Sequence, residues 1–110
     1  MNNPSPDAIR ALNDAFRRSL TGGTLMLTAG IVALGAEAQA RIIAAVQAFD
    51  AFTPDNDPYG EHDFGSLEIE GERIFFKVDY YDPTRAMHSE DAADPSKTER
   101  VLTVMLASEY

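Results

Sequence analysis

The stretch Ser66-Leu67-Glu68-Ile69-Glu70-Gly71-Glu72-Arg73-Ile74-Phe75-Phe76-Lys77-Val78-Asp79 constrains the fold most, because polar and apolar residues alternate on both sides of one glycine. Alternation with period two puts every second side chain on one face of a strand, and two such runs joined at a glycine form a hairpin. A two-residue turn at Gly71-Glu72, with Gly first, is type II′ and sets Ile69 opposite Ile74 and Leu67 opposite Phe76. One face then carries Leu67, Ile69, Ile74, Phe76 and Val78. The other carries Glu68, Glu70, Arg73, Phe75, Lys77 and Asp79, so the sheet is expected to be antiparallel and buried on one side.

The flanking segments supply the remaining elements. Pro4 to Leu20 reads as a helix with Ser5 as its cap and Pro6 at the first helical position; Ile9, Leu12, Phe16 and Leu20 form its apolar stripe, with Arg10, Asn13, Asp14 and Arg17 outward. Gly22-Gly23 stops it. This pair lacks the Lys-Ser/Thr and the third glycine that a phosphate loop requires. Thr24–Thr28 reads as a short strand, Ala29–Leu34 as a connector with room for a helical turn, and Ala36–Phe52 as an alanine-rich helix with Ile42, Ala45, Val46, Phe49 and Phe52 on one stripe. Residues 53–61 form a turn-rich loop, since Pro54 and Pro58 lack donors while Asp55, Asn56, Asp57 and Gly60 suit turns. Tyr80-Tyr81-Asp82-Pro83-Thr84 closes the hairpin's second strand. Arg85–Glu99 is a long polar loop, and Glu99–Ala107 is a last strand whose Leu102, Val104 and Leu106 join the hairpin's apolar face. The expected fold is therefore a single α+β domain over residues 1–110: two helices packed on one face of a small, mainly antiparallel four-stranded sheet, in the order α-β-α-β-β-β.

Charge separates the two halves of the chain. Of the net −9, residues 1–49 hold three acids against four bases, whereas residues 50–110 hold fifteen acids against five bases. Such a field disfavours phosphates and favours basic partners, so neither direct nucleic-acid binding nor membrane association is expected. The absence of cysteine removes thiolate nucleophiles, disulfides and cysteine-based metal sites, and fits a reducing, cytoplasmic setting. No apolar run approaches the roughly 18 residues of a membrane span, and the N-terminus lacks the pattern of a leader, so a soluble, unprocessed protein is expected.

The densest polar constellation is Asp55, Asp57, Tyr59, Glu61, His62 and Asp63, with Tyr80 and Tyr81 further along the chain. Asp55-Asn56-Asp57-Pro58-Tyr59-Gly60 begins like an EF-hand loop, but Tyr59 occupies the fifth position and Ser66 the twelfth, where a bidentate Glu is needed. His62 between Glu61 and Asp63 invites an acid/base reading, yet neighbours in a turn point in different directions and no Ser or Cys nucleophile motif accompanies them. The acids with their aromatic edge suit protein recognition. These eight residues are accordingly expected to form a protein-binding site, with no catalytic or metal-ligating residue assigned and no cofactor. The competing class is a small metal-dependent or acid/base enzyme centred on the Asp55–Asp63 loop. A second copy of the chain is a candidate partner for the hairpin's other face.

At FDAFTPDNDPYGEHDFG, with MLTAGIVAL upstream and KVDYYDPT and VLTVMLASEY downstream, the chain closely resembles a family of small bacterial proteins of unknown function. These are often encoded on plasmids and other mobile elements. The resemblance runs roughly from Asp14 onward and brings no assigned site residues. It implies a genetic context, in which a small acidic protein acts in plasmid maintenance or counters host defence, such as CRISPR or restriction, by engaging a basic surface of a host protein.

Overall fold

The computed structural model describes residues 6–110, so the expected cap at Ser5 lies outside the described residues. Helix α1 spans Pro6–Ser19 and strand β1 spans Gly23–Leu27. A single-turn helix α2 (Ala29–Val32) and helix α3 (Ala36–Ala48) follow, then strands β2 (Phe64–Ile69), β3 (Glu72–Tyr81) and β4 (Glu99–Leu106). The architecture is α+β with a four-stranded sheet in the order β1-β4-β3-β2.

The sheet is mixed: two of its three pairings are antiparallel, in keeping with the mainly antiparallel expectation, and the third, β1 with β4, is parallel. β4 enters between β1 and the hairpin, running antiparallel to β3 (Val78 opposite Leu102) and parallel to β1 (Leu25 opposite Leu102). A strand buried on both faces needs apolar residues at successive positions rather than at alternate ones. β4 meets that demand, since Val101, Leu102, Val104 and Met105 are all buried. The helical turn allowed for in the connector Ala29–Leu34 is α2, so the described residues hold three α-helices where two were counted. α1, α2 and α3 bring Phe16, Ile31, Ile42 and Val46 onto the face formed by Ile74, Phe76, Val78, Leu102 and Val104.

The hairpin keeps its predicted faces but not its register. Its turn is Glu70-Gly71, and both residues have positive φ (59° and 73°), as type I′ requires; Leu67 then faces Ile74, Ile69 faces Glu72 and Gly65 faces Phe76. The twist of a type I′ turn matches that of the strands, and Arg41 holds the carboxylate of Glu70, the residue in the left-handed conformation. Sliding the pairing by two residues leaves every side chain on its original face.

The second sheet face is not simply wet. Tyr110 leans on Phe64 and Phe75 at ring-centroid distances of 5.8 and 5.5 Å, next to buried Met105. At the other end Arg85 donates to Thr24 (2.7 Å) and Glu99 (3.0 Å), carrying the loop 82–98 over the end of the sheet. The chain's last described turn also ties back to α2. Glu109 accepts hydrogen bonds from the Gly30 amide (2.9 Å) and the Thr28 hydroxyl (2.6 Å), offering a carboxylate to the helix's unpaired N-terminal donors.

Candidate functional site

A stripe on α1 organises the loop that precedes the hairpin. Its buried residues are Ile9, Asn13, Phe16 and Arg17, spaced i, i+4, i+7 and i+8, so two of the side chains expected outward point inward. Asn13 and Arg17 are both 0 % exposed, whereas Leu12, expected in the apolar stripe, is only partly buried. The reason is that the carbonyls of Phe49, Gly60 and Glu61, all in the connection between α3 and β2, come down over α1 and need donors, which an apolar stripe cannot supply.

α3 stops at Ala48, earlier than the expected Phe52, because Phe49 turns extended (φ −62°, ψ 130°). Its freed carbonyl accepts a hydrogen bond from Arg17 Nη2 at 3.0 Å. The rings of Phe49 and Phe52 still reach the core, edge-on to each other at 4.9 Å and, for Phe49, to Phe76 at 5.2 Å. Arg17 completes its surroundings with Asp14 (3.0 Å) and with the rings of Phe52 (5.3 Å) and Phe76 (5.8 Å); its Nε is buried without a partner among the described residues.

The loop then winds back on itself. Thr53 and Asn56 exchange bonds between backbone and side chain at 2.8 and 3.3 Å, and the Asp57 amide donates to the Thr53 carbonyl at 2.8 Å. The Asp57 carboxylate accepts the His62 amide at 3.3 Å from each oxygen, which supports the positive φ of 55° at His62. The His62 ring lies flat on Phe52, centroids 3.8 Å apart with 6° between planes. Its Nδ1 donates to Asp14 at 2.9 Å and its Nε2 faces Asp57 at 3.6 Å. Further bonds run from Arg10 to the Gly60 carbonyl (3.0 Å) and from Asn13 to the Glu61 carbonyl (3.0 Å) and the Tyr80 hydroxyl (2.7 Å).

The eight predicted site residues divide accordingly. Glu61, His62 and Tyr80 meet the middle of α1 at Asn13 and Asp14, with Asp57 and Asp63 beside His62. Asp55 and Tyr59 are exposed on the loop's outer rim, and Tyr59 is 79 % exposed. Tyr81 stands apart: one residue on from Tyr80 it points to the opposite sheet face, where its ring stacks on His88 at 6.1 Å. Sequence reasoning missed Asn13, Asp14 and Arg17 of α1, and Arg100 of β4. The detectable signal was positional, since Asn13 and Arg17 fall on the helix face marked by Ile9 and Phe16.

The carboxylates of the site lie in contrasting environments. Burial pushes the Asp14 carboxyl up, but hydrogen bonds from His62 and Arg17 outweigh it and hold the group below the usual value. Burial raises Asp63, and the charges of Asp57 and Asp79 raise it further. Glu61 is raised by burial, then by Asp63 and Asp57. Burial likewise raises the Tyr80 phenol. Neither Glu61 nor Asp63 pairs with a Lys or Arg among the described residues, whereas Glu68, Glu70, Asp79, Glu90 and Glu99 each do.

Both nitrogens of His62 are directed at carboxylates and its ring face is covered by Phe52, so the imidazole acts as a clasp between loop and helix. Among the described residues no three His, Asp or Glu side chains converge as a metal ion needs. A shallow hollow of about 360 Å³ opens beside the clasp, lined by Phe52, Pro54, Asp57, Pro58, Tyr59 and His62. A hollow of similar size, about 390 Å³, lies away from this cluster on the loop 82–98, between Met87, His88, Glu90 and Lys97.

A family model described as "Protein of unknown function (DUF3768)" matches residues 27–109, well over half of the chain. The chain belongs to the DUF3768 family. No curated protein and no solved structure matches it. The part matched to DUF3768 contains the loop, Tyr80 and Arg100, while the α1 residues that hold the loop precede it. Among the described residues of this DUF3768 chain no helix is long and apolar enough to cross a membrane.

Proposed function

We propose that the chain is a non-enzymatic binding module that engages a basic surface of a partner protein through the loop 53–63. The observation that carries this reading is the pair Glu61 and Asp63, partly buried carboxylates raised by burial and by neighbouring acids and paired with no Lys or Arg among the described residues, beside exposed Tyr59 on a tied-down loop. An incoming guanidinium or ammonium group relieves that repulsion, and Tyr59 offers a ring face for its stem. Because the loop is already held by Arg10, Asn13 and Asp14, little ordering entropy is lost on binding. The acidic field of the C-terminal half steers basic partners and repels nucleic-acid phosphates.

The specific form of the proposal is a cytoplasmic accessory or anti-defence factor of bacterial mobile DNA. It presents carboxylates where a host protein would otherwise meet phosphates. Its support is the resemblance's genetic context together with the charge of the chain. The test is fluorescence anisotropy with a labelled arginine-rich peptide, in the presence and absence of competing DNA. Binding that weakens with salt, is competed by DNA and falls on the order of ten-fold in the Tyr59→Ala/Asp63→Asn double variant is the expected result. Affinity unchanged by the double substitution, or independent of salt, refutes the assignment.

A further inference from the structure

The buried side chain of Asn13 stands where the two long connections of the chain meet. Its orientation is fixed by partners that cannot exchange roles: Arg100 Nε only donates and a peptide carbonyl only accepts. Asn13 Oδ1 therefore accepts from Arg100 Nε at 2.9 Å, and Nδ2 donates to the Glu61 carbonyl at 3.0 Å and the Tyr80 hydroxyl at 2.7 Å. On its far side Arg100 donates to the Ala92 carbonyl and lies 5.3 Å from the centroid of the Tyr80 ring. Arg100 is 3 % exposed and forms no ion pair among the described residues, so its charge is compensated by neutral oxygens and one ring face.

A charged group in that setting depends on every one of its bonds, because each bond lost leaves a buried donor unsatisfied. We propose that Asn13 and Arg100 make the two loops one mechanical unit: the segment around Ala92 holds Arg100 in place, Arg100 holds Asn13, and Asn13 sets the position of Gly60–His62. Asn13 is thus a positioning residue for the candidate binding loop. The loop 82–98 is a remote control on its shape, a consequence for recognition that rests on the reading above.

Amide hydrogen exchange on the whole chain, without any partner, tests the coupling apart from the binding reading. The reporters are the hydrogen-bonded amides of Gly60 and His62 in one loop and of Ala93 and Asp94 in the other. Arg100→Met is expected to speed exchange on the order of ten-fold in both sets, although the hydrogen bonds of Arg100 go to Asn13 and Ala92 and not to Gly60 or His62. Acceleration confined to Ala93 and Asp94, or absent from both sets, overturns the proposal. Should Arg100→Met lose cooperative folding, Arg100→Lys, which keeps the charge but lacks the Nε donor, is read in the same way. Ile42→Val, a trimmed methylene elsewhere in the core, serves as the control; if it accelerates the same four amides to the same degree, the effect is global and the coupling is refuted.

Discussion

Substituting Gly65 by Ala isolates the closest approach in the core. A β-carbon there would collide with Cε2 and Cζ of Phe76 and stand 3.1 Å from Phe49, inside the roughly 3.5 Å of a normal carbon contact. Phe76 has nowhere to retreat, being 0 % exposed and hemmed by Phe49 (5.2 Å) and Phe52 (6.4 Å). Overpacking of this kind costs about 1–3 kcal/mol, and the smaller unfolded-state entropy of Ala returns about 0.4–1 kcal/mol. A net loss of about 1–2 kcal/mol, or roughly 5–10 °C in Tm for a chain of this size, is expected. Urea unfolding followed by far-UV circular dichroism is the assay, since the chain has no tryptophan. Phe76→Leu alone opens space and costs about 1–2 kcal/mol; combined with Gly65→Ala it accommodates the new methyl, so the double variant should be more stable than the sum of the two losses by about 1 kcal/mol or more. A neutral or stabilising Gly65→Ala, or two losses that add to within about 0.5 kcal/mol, refutes the packing argument.

Phe76→Ala should cost about 3–5 kcal/mol, and Phe75→Ala well under half as much, because the Phe75 ring is only partly covered by Phe64 and Tyr110; equal and concentration-independent losses would contradict the assignment of faces. Asp63 has a folded pKa raised above 3.8, so its contribution to stability is present below that value and lost as pH rises through the raised one. Asp63→Asn should therefore gain stability over the parent at neutral pH, with the gain vanishing below pH 3.8 in a series of thermal melts. For Asp14 the sign is reversed. Its folded pKa is depressed, so Asp14→Asn should be less stable than the parent at neutral pH, and the difference should close only as pH falls through the depressed value.

The hairpin and the Leu/Val face of the last strand were legible because a period-two pattern survives a shift of two residues, as the change from a Gly71-Glu72 to a Glu70-Gly71 turn shows. The place of β4 beside β1 was legible only in part. Its near-continuous apolar run marks a strand covered on both sides, but which strand lies beyond it depends on a pairing between Gly23 and Arg100, and spacing along the chain carries no information about that. The α1 side of the site was hidden for a different reason. Asn, Asp and Arg on a short helix read as solvent-facing by residue type, and they become buried only because His62, Glu61 and Phe49 arrive from elsewhere to satisfy them. The acids of the loop were visible as composition. Their division into a clamped Asp57 and an uncompensated Glu61 and Asp63 required the backbone geometry of the turn.

The position of β4 governs the order in which this chain becomes a protein. Among the described residues β1 pairs in the sheet with β4 alone, and Arg100, on which the buried polar network depends, sits on that same strand β4. While residues 99–106 are still unavailable, during synthesis for instance, the first strand has nothing to pair with, the hairpin is a two-stranded ribbon, and Asn13 lacks the guanidinium that orients it. Two-stranded ribbons are marginal in water, and contacts so distant along the chain form slowly. Folding should therefore arrive late and nearly all at once, with the loop 53–63 taking its shape in the same step that completes the sheet.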